Sequence, residues 1–336
     1  MSKKVRNMII STCVRLTEKA ADISLINPVI EQHSLQANSG KVIVKITAAG
    51  VNPSDAKAAI GLMPYAVFPR TPGRDFAGVV IEGPSQWLGR AVFGSSGDLG
   101  IRCDGSHASH LVVETEALVE LPDTITADEA AGIGVPFVSA VEGFRRAGTP
   151  SSGETVLIFG LNGRVGQAAA QLASWWGAHV IGVVRNEKPY QGYASSPIEV
   201  INSANTDVAA RVRELTDGKG ANIVFNTVGD PYFQSAHKSL ALAGRQILIA
   251  AVDRSVQFNI FEFYRGQHTY VGVDTLALSS VRSGDILRKI VPGLQTRSLR
   301  PYPISSNAIY SLREAKDAYR AVMGSASDRI ILKPEI

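Results

Sequence analysis

Thr155-Val-Leu-Ile-Phe-Gly-Leu-Asn-Gly-Arg-Val-Gly-Gln-Ala-Ala-Ala-Gln-Leu-Ala, residues 155–173, joins two patterns at one turn. A short β-prone run ends at Gly160. From Arg164 onward, Val165, Ala168, Ala169, Leu172, Trp175 and Trp176 recur at the spacing of one helix face, which predicts a helix packed on a sheet by that face. Glycines at 160, 163 and 166 allow a tight strand-to-helix turn. The N-terminus of a helix that starts there presents unpaired N–H groups and the positive end of its dipole, which favours a pyrophosphate. The candidate cradle is therefore Gly160, Asn162, Gly163, Arg164, Val165 and Gly166. Leu161 stands where the usual dinucleotide fingerprint has its first glycine. Arg164 either reaches the pyrophosphate or extends into solvent. The alternative is a turn in a sheet protein that binds nothing; the strand, turn, helix and following strand favour the cradle.

Further strands follow at His179-Val-Ile-Gly-Val-Val, Ala221-Asn-Ile-Val-Phe, Arg245-Gln-Ile-Leu-Ile-Ala and Thr269-Tyr-Val-Gly-Val, with a weaker one near Ile198-Glu-Val-Ile. They alternate with amphipathic helices, which predicts an α/β fold with a doubly wound parallel sheet of the Rossmann kind over residues 127–273. Ligands of such sheets bind beyond the carboxyl ends of the strands, so Gly160, Arg185, Asn226, Thr227, Val228 and Ala251 are expected along one crest. Residues 1–126 have a different texture, with short strands such as Lys41-Val-Ile-Val-Lys-Ile-Thr, Phe76-Ala-Gly-Val-Val-Ile and His110-Leu-Val-Val among Gly, Pro, Asn and Asp. Residues 274–336 hold a helix near Gly284 to Leu294 and a final strand Arg329-Ile-Ile-Leu-Lys, and are expected to return to the first domain.

The end of the second parallel strand selects the cofactor, because an acid there accepts from the ribose 2′-OH and repels a 2′-phosphate. The chain reads Val184-Arg185-Asn186-Glu187-Lys188. Arg185 offers bidentate contacts to a phosphate and Lys188 a point charge, which favours NADP(H) over NAD against the reading of both as solvated loop charges.

Composition narrows the function. With 45% hydrophobic residues and a formal charge of +4 carried by scattered Lys and Arg, the chain reads as globular and not as a nucleic-acid binder. Its two cysteines, Cys13 and Cys103, suit a reducing compartment and exclude a Cys-rich metal site. The basic start leads into an apolar run too short for a signal peptide, and no stretch approaches the roughly 20 apolar residues of a membrane helix. A cytoplasmic protein without membrane or nucleic-acid partners is expected.

Several motifs together carry a resemblance: Ala49-Gly-Val-Asn-Pro-Ser-Asp, Thr71-Pro-Gly-Arg-Asp-Phe-Ala-Gly-Val-Val, Asp104-Gly-Ser-His-Ala-Ser-His-Leu-Val-Val, Leu121-Pro-Asp, Leu215-Thr-Asp-Gly-Lys-Gly-Ala, Asn226-Thr-Val-Gly-Asp and Gly272-Val-Asp-Thr. The chain resembles the quinone oxidoreductases and enoyl-thioester reductases of the medium-chain dehydrogenase/reductase superfamily. The resemblance implies a β-rich GroES-like catalytic domain formed by both ends of the chain, beside the Rossmann domain, with the active site in the cleft between. It further implies that Asn52, Arg74 and Val135 stand where zinc-dependent relatives place Cys, His and Cys, so no zinc is expected. His107 and His110, at a spacing of three in an expected strand, face opposite sides and do not ligate as a pair.

Without a metal to polarise a carbonyl, reduction of an activated double bond or a quinone remains feasible, since the developing oxyanion needs only hydrogen-bond donors. By resemblance, Asn52 lies near the nicotinamide ribose and substrate; its other reading is a turn residue before Pro53. The family's proton-donating tyrosine is replaced by Met63, leaving Tyr65, solvent or a self-sufficient quinone to supply the proton; packing in a loop is the other reading of Tyr65. Ser203 replaces a tyrosine that often covers the adenosine phosphate. The expected function is a zinc-independent NADPH-dependent reductase of quinones or α,β-unsaturated carbonyl compounds. The alternatives are a 2-enoyl thioester reductase and a non-catalytic NADPH-binding protein, structural or redox-sensing. A homodimer is expected, because Thr269-Tyr-Val-Gly-Val would otherwise leave an open sheet edge.

Overall fold

The computed structural model describes residues 8–63, 65–186, 189–324 and 329–334. Its contacts divide the chain into two units. One comprises residues up to Val135, Thr275–Gln295 and the chain from Pro301; the other comprises Pro136–Asp274 and Thr296–Arg300. The expected boundary at 126/127 differs from this division, which falls inside a helix, at Pro136. A proline there removes one helical N–H donor without ending the helix.

In the first unit, β1 (Ile9–Arg15) and β2 (Val29–Leu35) form an antiparallel pair. They are followed by β3 (Lys41–Val51), α1 (Pro53–Ala59), β4 (Asp75–Glu82), β5 (Ala91–Ser95), β6 (His110–Glu114) and β7 (Val119–Glu120). Helix α2 (Ala127–Ala147) crosses into the second unit. There lie β8 (Thr155–Phe159), α3 (Arg164–Trp175), β9 (His179–Val184), β10 (Glu199–Asn202), α4 (Val208–Leu215) and β11 (Ala221–Asn226). The unit continues with α5 (Phe233–Lys238), β12 (Leu240–Leu248), α6 (Ile260–Arg265) and β13 (Thr269–Gly272). The chain then re-enters the first unit with α7 (Ser280–Gln295), β14 (Ile309–Ser311), α8 (Ala315–Gly324) and β15 (Ile330–Lys333).

The first unit's main sheet runs β14-β15-β3-β4-β5-β7, with β6 also paired to β3. Val42, Val44, Ile46, Phe76, Val92, Leu111, Val113, Ile330 and Leu332 fill its core, joined by Tyr319 of α8. Polar side chains are buried with them, Arg70 and His107 among others. Arg70 is wholly enclosed and donates to Gly100 O at 2.7 Å and Val67 O at 3.1 Å. His107 exchanges a hydrogen bond with Tyr319 Oη at 2.8 Å. His107 therefore precedes β6, which starts at His110, so the expectation that both histidines share a strand is corrected. Packing needs claim His107: its ring is stacked on Tyr319, and burial pushes its pKa down to about 4.

The second unit is a parallel sheet in the order β10-β9-β8-β11-β12-β13, the doubly wound arrangement expected from the sequence. Its order reverses between β8 and β11, which places the ligand crevice beyond those strand ends. Strand β12 starts earlier than expected, at Leu240, with Ala243 at φ 57° inside it. Helix α3 departs from one-faced amphipathicity, because every residue from Gly166 to Ser174 is buried. Gln171 is spent on the returning segment, accepting from Arg300 N at 2.8 Å and donating to Arg300 O at 3.0 Å. Trp175 and Trp176, expected on the buried face, are only partly buried.

Phe225 of β11 is fully buried, edge-on to Phe144 at 5.2 Å, with Gly143 beneath its ring. No neighbouring side chain can fill its place from Gly143. Phe225→Ala is expected to cost about 3–5 kcal/mol, read by urea denaturation.

Candidate functional site

In the parallel-sheet unit, the turn from β8 to α3 is tight and leads into a helix N-terminus. Gly160 sits at φ +76°, and a Cβ there would lie 2.4 Å from Thr227 Oγ1. At Gly166 a Cβ would lie 2.2 Å from Gly160 O. Both positions demand glycine for close backbone approach. Leu161, at the place of the missing fingerprint glycine, turns its side chain inward over Gly182 and is fully buried. The cradle thus keeps its backbone shape without a glycine there.

Gly163 caps α3 with extended backbone, and Gly163 N donates to Gly160 O at 2.9 Å. The first-turn N–H groups of Arg164, Val165 and Gly166 have no intrahelical acceptors. Asn162, Gly163 and Val165 are partly buried, and Arg164 is buried with only 8% exposed. Arg164 therefore does not extend into solvent.

Thr227 Oγ1 donates to Phe159 O at 2.7 Å, which ties the turn after β11 to the end of β8. Val228 follows, partly buried. Asn226 is fully buried and does not line the crest: its Oδ1 accepts from Val228 N and Gly229 N, and its Nδ2 donates to Gly229 O. It shapes the turn. Ala251 is exposed beyond β12, in a segment held by Asp230, whose carboxylate accepts from Val252 N and Asp253 N. Arg185 is exposed directly after β9. Lys188 lies outside the described residues. Ser203 is engaged, donating to Val184 O at 3.1 Å and bonded to Tyr232 Oη at 2.9 Å.

In the other unit, Asn52, Arg74 and Val135 gather around one carboxylate. Asp75 is buried; it accepts from Asn52 Nδ2 at 2.9 Å and from Val135 N at 2.9 Å. Arg74, also buried, donates to Ser96 O at 2.8 Å and to Thr275 O and Ser54 Oγ at 3.3 Å. An amide, a guanidinium and an aliphatic side chain supply no soft ligand, and the guanidinium brings its own positive charge. This donor set does not fit zinc.

Asn52 is only 5% exposed, and its backbone N–H donates to Asp55 Oδ2 at 2.8 Å. Asp55 Oδ1 is buried without a partner among the described residues, and burial pushes the carboxyl up to about 7. The sequence could not show this, because the Asn-Pro-Ser-Asp spacing reads equally well as an ordinary helix start. Tyr65 is 43% exposed, with the Arg102 guanidinium 4.4 Å over its ring. Arg102 is itself tied to Asp98 and Leu276 O. That places Tyr65 in a loop-packing role, while Met63 packs on Ala58, Ile101 and Leu276.

A cavity of about 410 Å³ in this unit is lined by Cys13, Cys103, His33, His110, Leu99 and Val281, among others. Burial raises the Cys13 thiol, and it pushes Cys103 to about 11 with help from Asp98, Glu114 and Asp104. Cys103 remains solvent-accessible. Among the described residues no group of His, Cys, Asp and Glu could hold a metal ion, and no helix is long and apolar enough to cross a membrane.

The family model of the alcohol dehydrogenase GroES-like domain matches residues 38–123, and that of the zinc-binding dehydrogenases matches residues 165–285. A zinc-type alcohol dehydrogenase-like protein of Schizosaccharomyces pombe is 34% identical over 302 residues, 88% of this chain and 89% of that protein. The chain belongs to the medium-chain dehydrogenase/reductase superfamily. Among solved structures, an alcohol dehydrogenase superfamily protein from Novosphingobium aromaticivorans superimposes with a TM-score of 0.85 at 26% identity, covering 98% of this chain and all (100%) of that one. The JamJ enoyl reductase superimposes at 0.76 and 26% identity, covering 96% and 99%. The chain is thus an oxidoreductase of the superfamily, and the antiparallel unit is its GroES-like domain. Asn52, Arg74 and Val135, gathered at Asp75, include no zinc-ligating side chain.

Asp55 makes stability depend on pH. Its folded pKa of about 7 lies above the usual carboxylate value of 3.8. Its contribution is therefore full below about pH 4 and is lost as pH rises to about 7. Asp55→Asn keeps an acceptor for Asn52 N–H and removes the titration. The variant is expected to lose less stability than the parent between pH 4 and 7, by about 4 kcal/mol at most. Paired urea titrations at several pH values check this; parallel curves would contradict it.

Proposed function

We propose that the chain is a zinc-independent, NADPH-dependent reductase of quinones or α,β-unsaturated carbonyl compounds. The observation that carries the cofactor choice is Arg185. An exposed guanidinium follows β9, where an acid would mark NAD, in the same unit as a tight glycine turn that leads into the N-terminus of α3. Gly160, Asn162, Gly163, Arg164, Val165 and Gly166 would hold the pyrophosphate through backbone N–H groups, and Thr227, Val228 and Ala251 would border the rest of the cofactor. When bound, NADPH supplies a hydride.

The surroundings of Asp75 support this substrate class. With a guanidinium in place of a metal ligand, carbonyl polarisation must come from hydrogen-bond donors, which suits conjugated acceptors. Asn52, fixed by Asp75 and Asp55, is preorganised as a polar group in this unit. Met63 carries no transferable proton, and Tyr65 is held under Arg102, so solvent or the substrate itself completes the proton balance. The likeness to an enoyl reductase supports the 2-enoyl thioester as a second substrate class.

Fluorescence titration with NADPH and NADH tests the cofactor. NADPH is expected to bind more tightly, and Arg185→Ala to weaken NADPH by roughly 10- to 100-fold while leaving NADH unchanged. A panel of a quinone, an enal and an enoyl thioester then reads the substrate; binding without turnover of any would favour the non-catalytic alternative.

The location is read as cytoplasmic and the assembly as a homodimer. Among the described residues, strand β13 pairs only with β12, and the nearby segment exposes Ile260 (67%), Phe261 (64%) and Tyr264 (56%). An open edge beside apolar side chains suits pairing with a second copy. Light scattering is expected to give a dimer, and Phe261→Asp a monomer.

A further inference from the structure

Ser203 puts a hydroxyl where the resemblance implies a tyrosine over the adenosine phosphate. The structure brings a different tyrosine to it. Tyr232 follows β11, and its ring lies on Phe159, the last residue of β8, with centroids 5.0 Å apart. Because β8 lies between β11 and β9, the side chain reaches across the end of β8. Its hydroxyl meets Ser203 Oγ at 2.9 Å.

Counting protons fixes the direction. Ser203 Oγ donates to Val184 O at 3.1 Å, and Ser203 N donates to the same carbonyl at 2.8 Å. The serine proton is thereby used, so the shared bond to Tyr232 runs from the tyrosine O–H to Ser203 Oγ. The result is a relay, Tyr232 to Ser203 to Val184, that ends one residue before Arg185. Neither hydroxyl retains a proton to offer a phosphate.

We propose that Tyr232 is a specificity-determining positioning residue: through Ser203 it holds the end of β9 so that Arg185 is presented to the 2′-phosphate of NADPH. The proposal rests on the NADPH reading above. Charge recognition falls to Arg185, while the hydroxyls set its starting point. Fixing that carbonyl lowers the cost of ordering the guanidinium on its ligand, an advantage that NADH, lacking the phosphate, does not use.

The test is fluorescence titration of the intact chain with NADPH and NADH, for the parent, Tyr232→Phe, Ser203→Ala, their double variant and Ser203→Thr. Tyr232→Phe keeps the ring on Phe159 and removes one hydrogen. It is expected to weaken NADPH roughly 3- to 10-fold and to leave NADH unchanged, with Ser203→Ala equivalent. The double variant is expected to be no worse than either single variant, since both break one relay, and Ser203→Thr to restore binding. Equal weakening of both cofactors would make Tyr232 merely structural and overturn the proposal. A parent that prefers NADPH, with an unaltered preference in Tyr232→Phe, would overturn the relay and leave the Arg185 reading standing. A parent without preference would overturn both.

Discussion

One buried carboxylate, that of Asp75, organises the GroES-like unit. It sits at the start of β4 and takes hydrogen bonds from the residue that caps α1 and from the backbone of α2. A carboxylate removed from water requires such donors, and removing one partner from a satisfied group leaves the other exposed to the full desolvation cost. Asn52, Val135 and Asp75 therefore hold each other in place. Burial pushes the Asp75 carboxyl up, and these donors, with Arg74 next to it in the sequence, oppose that shift only in part. The resemblance sets Asn52, Arg74 and Val135 where zinc-dependent relatives have metal ligands; in this chain an amide and a peptide N–H hold Asp75, with a guanidinium next to it in the sequence.

Much of the fold was legible because its signals are local. The turn at Gly160 requires positive φ, the helix after it begins at once, and the run Thr155–Phe159 is too apolar for anything but a buried strand. Arg185 was legible for the same reason, being the first residue after a strand. What stayed hidden depended on distant partners. Gln171 looks polar and outward until Arg300 is found bonded to it, and helix α3 is consequently buried all round. Asn226 looks like a crest residue until its amide is seen folded back on Gly229. His107 looks like part of a strand until Tyr319 claims it.

The site residues divide along the same line. The cradle is mostly backbone, and its glycines announce it. Asn52 gave no comparable signal for its two carboxylate anchors, since one is a neighbour in the helix start and the other comes from a separate strand. Tyr65 invites attention by residue type, and the Arg102 guanidinium over its ring is a contact the sequence does not show. Ser203 was read by what it lacks, and only three-dimensional contact shows that Tyr232 compensates.

The two thiols of the 410 Å³ cavity carry a chemical consequence. A thiol attacks electrophiles as its anion, and Cys103, held at about 11, is ionised in roughly one molecule in ten thousand at neutral pH. Cys13 is shifted in the same direction. Solvent can reach part of Cys103, yet burial of its surroundings and, after it, the carboxylates of Asp98, Glu114 and Asp104 discourage the charge that reaction requires. The chain thus carries its sulfur in a form resistant to alkylation, through burial first and through neighbouring negative charge second.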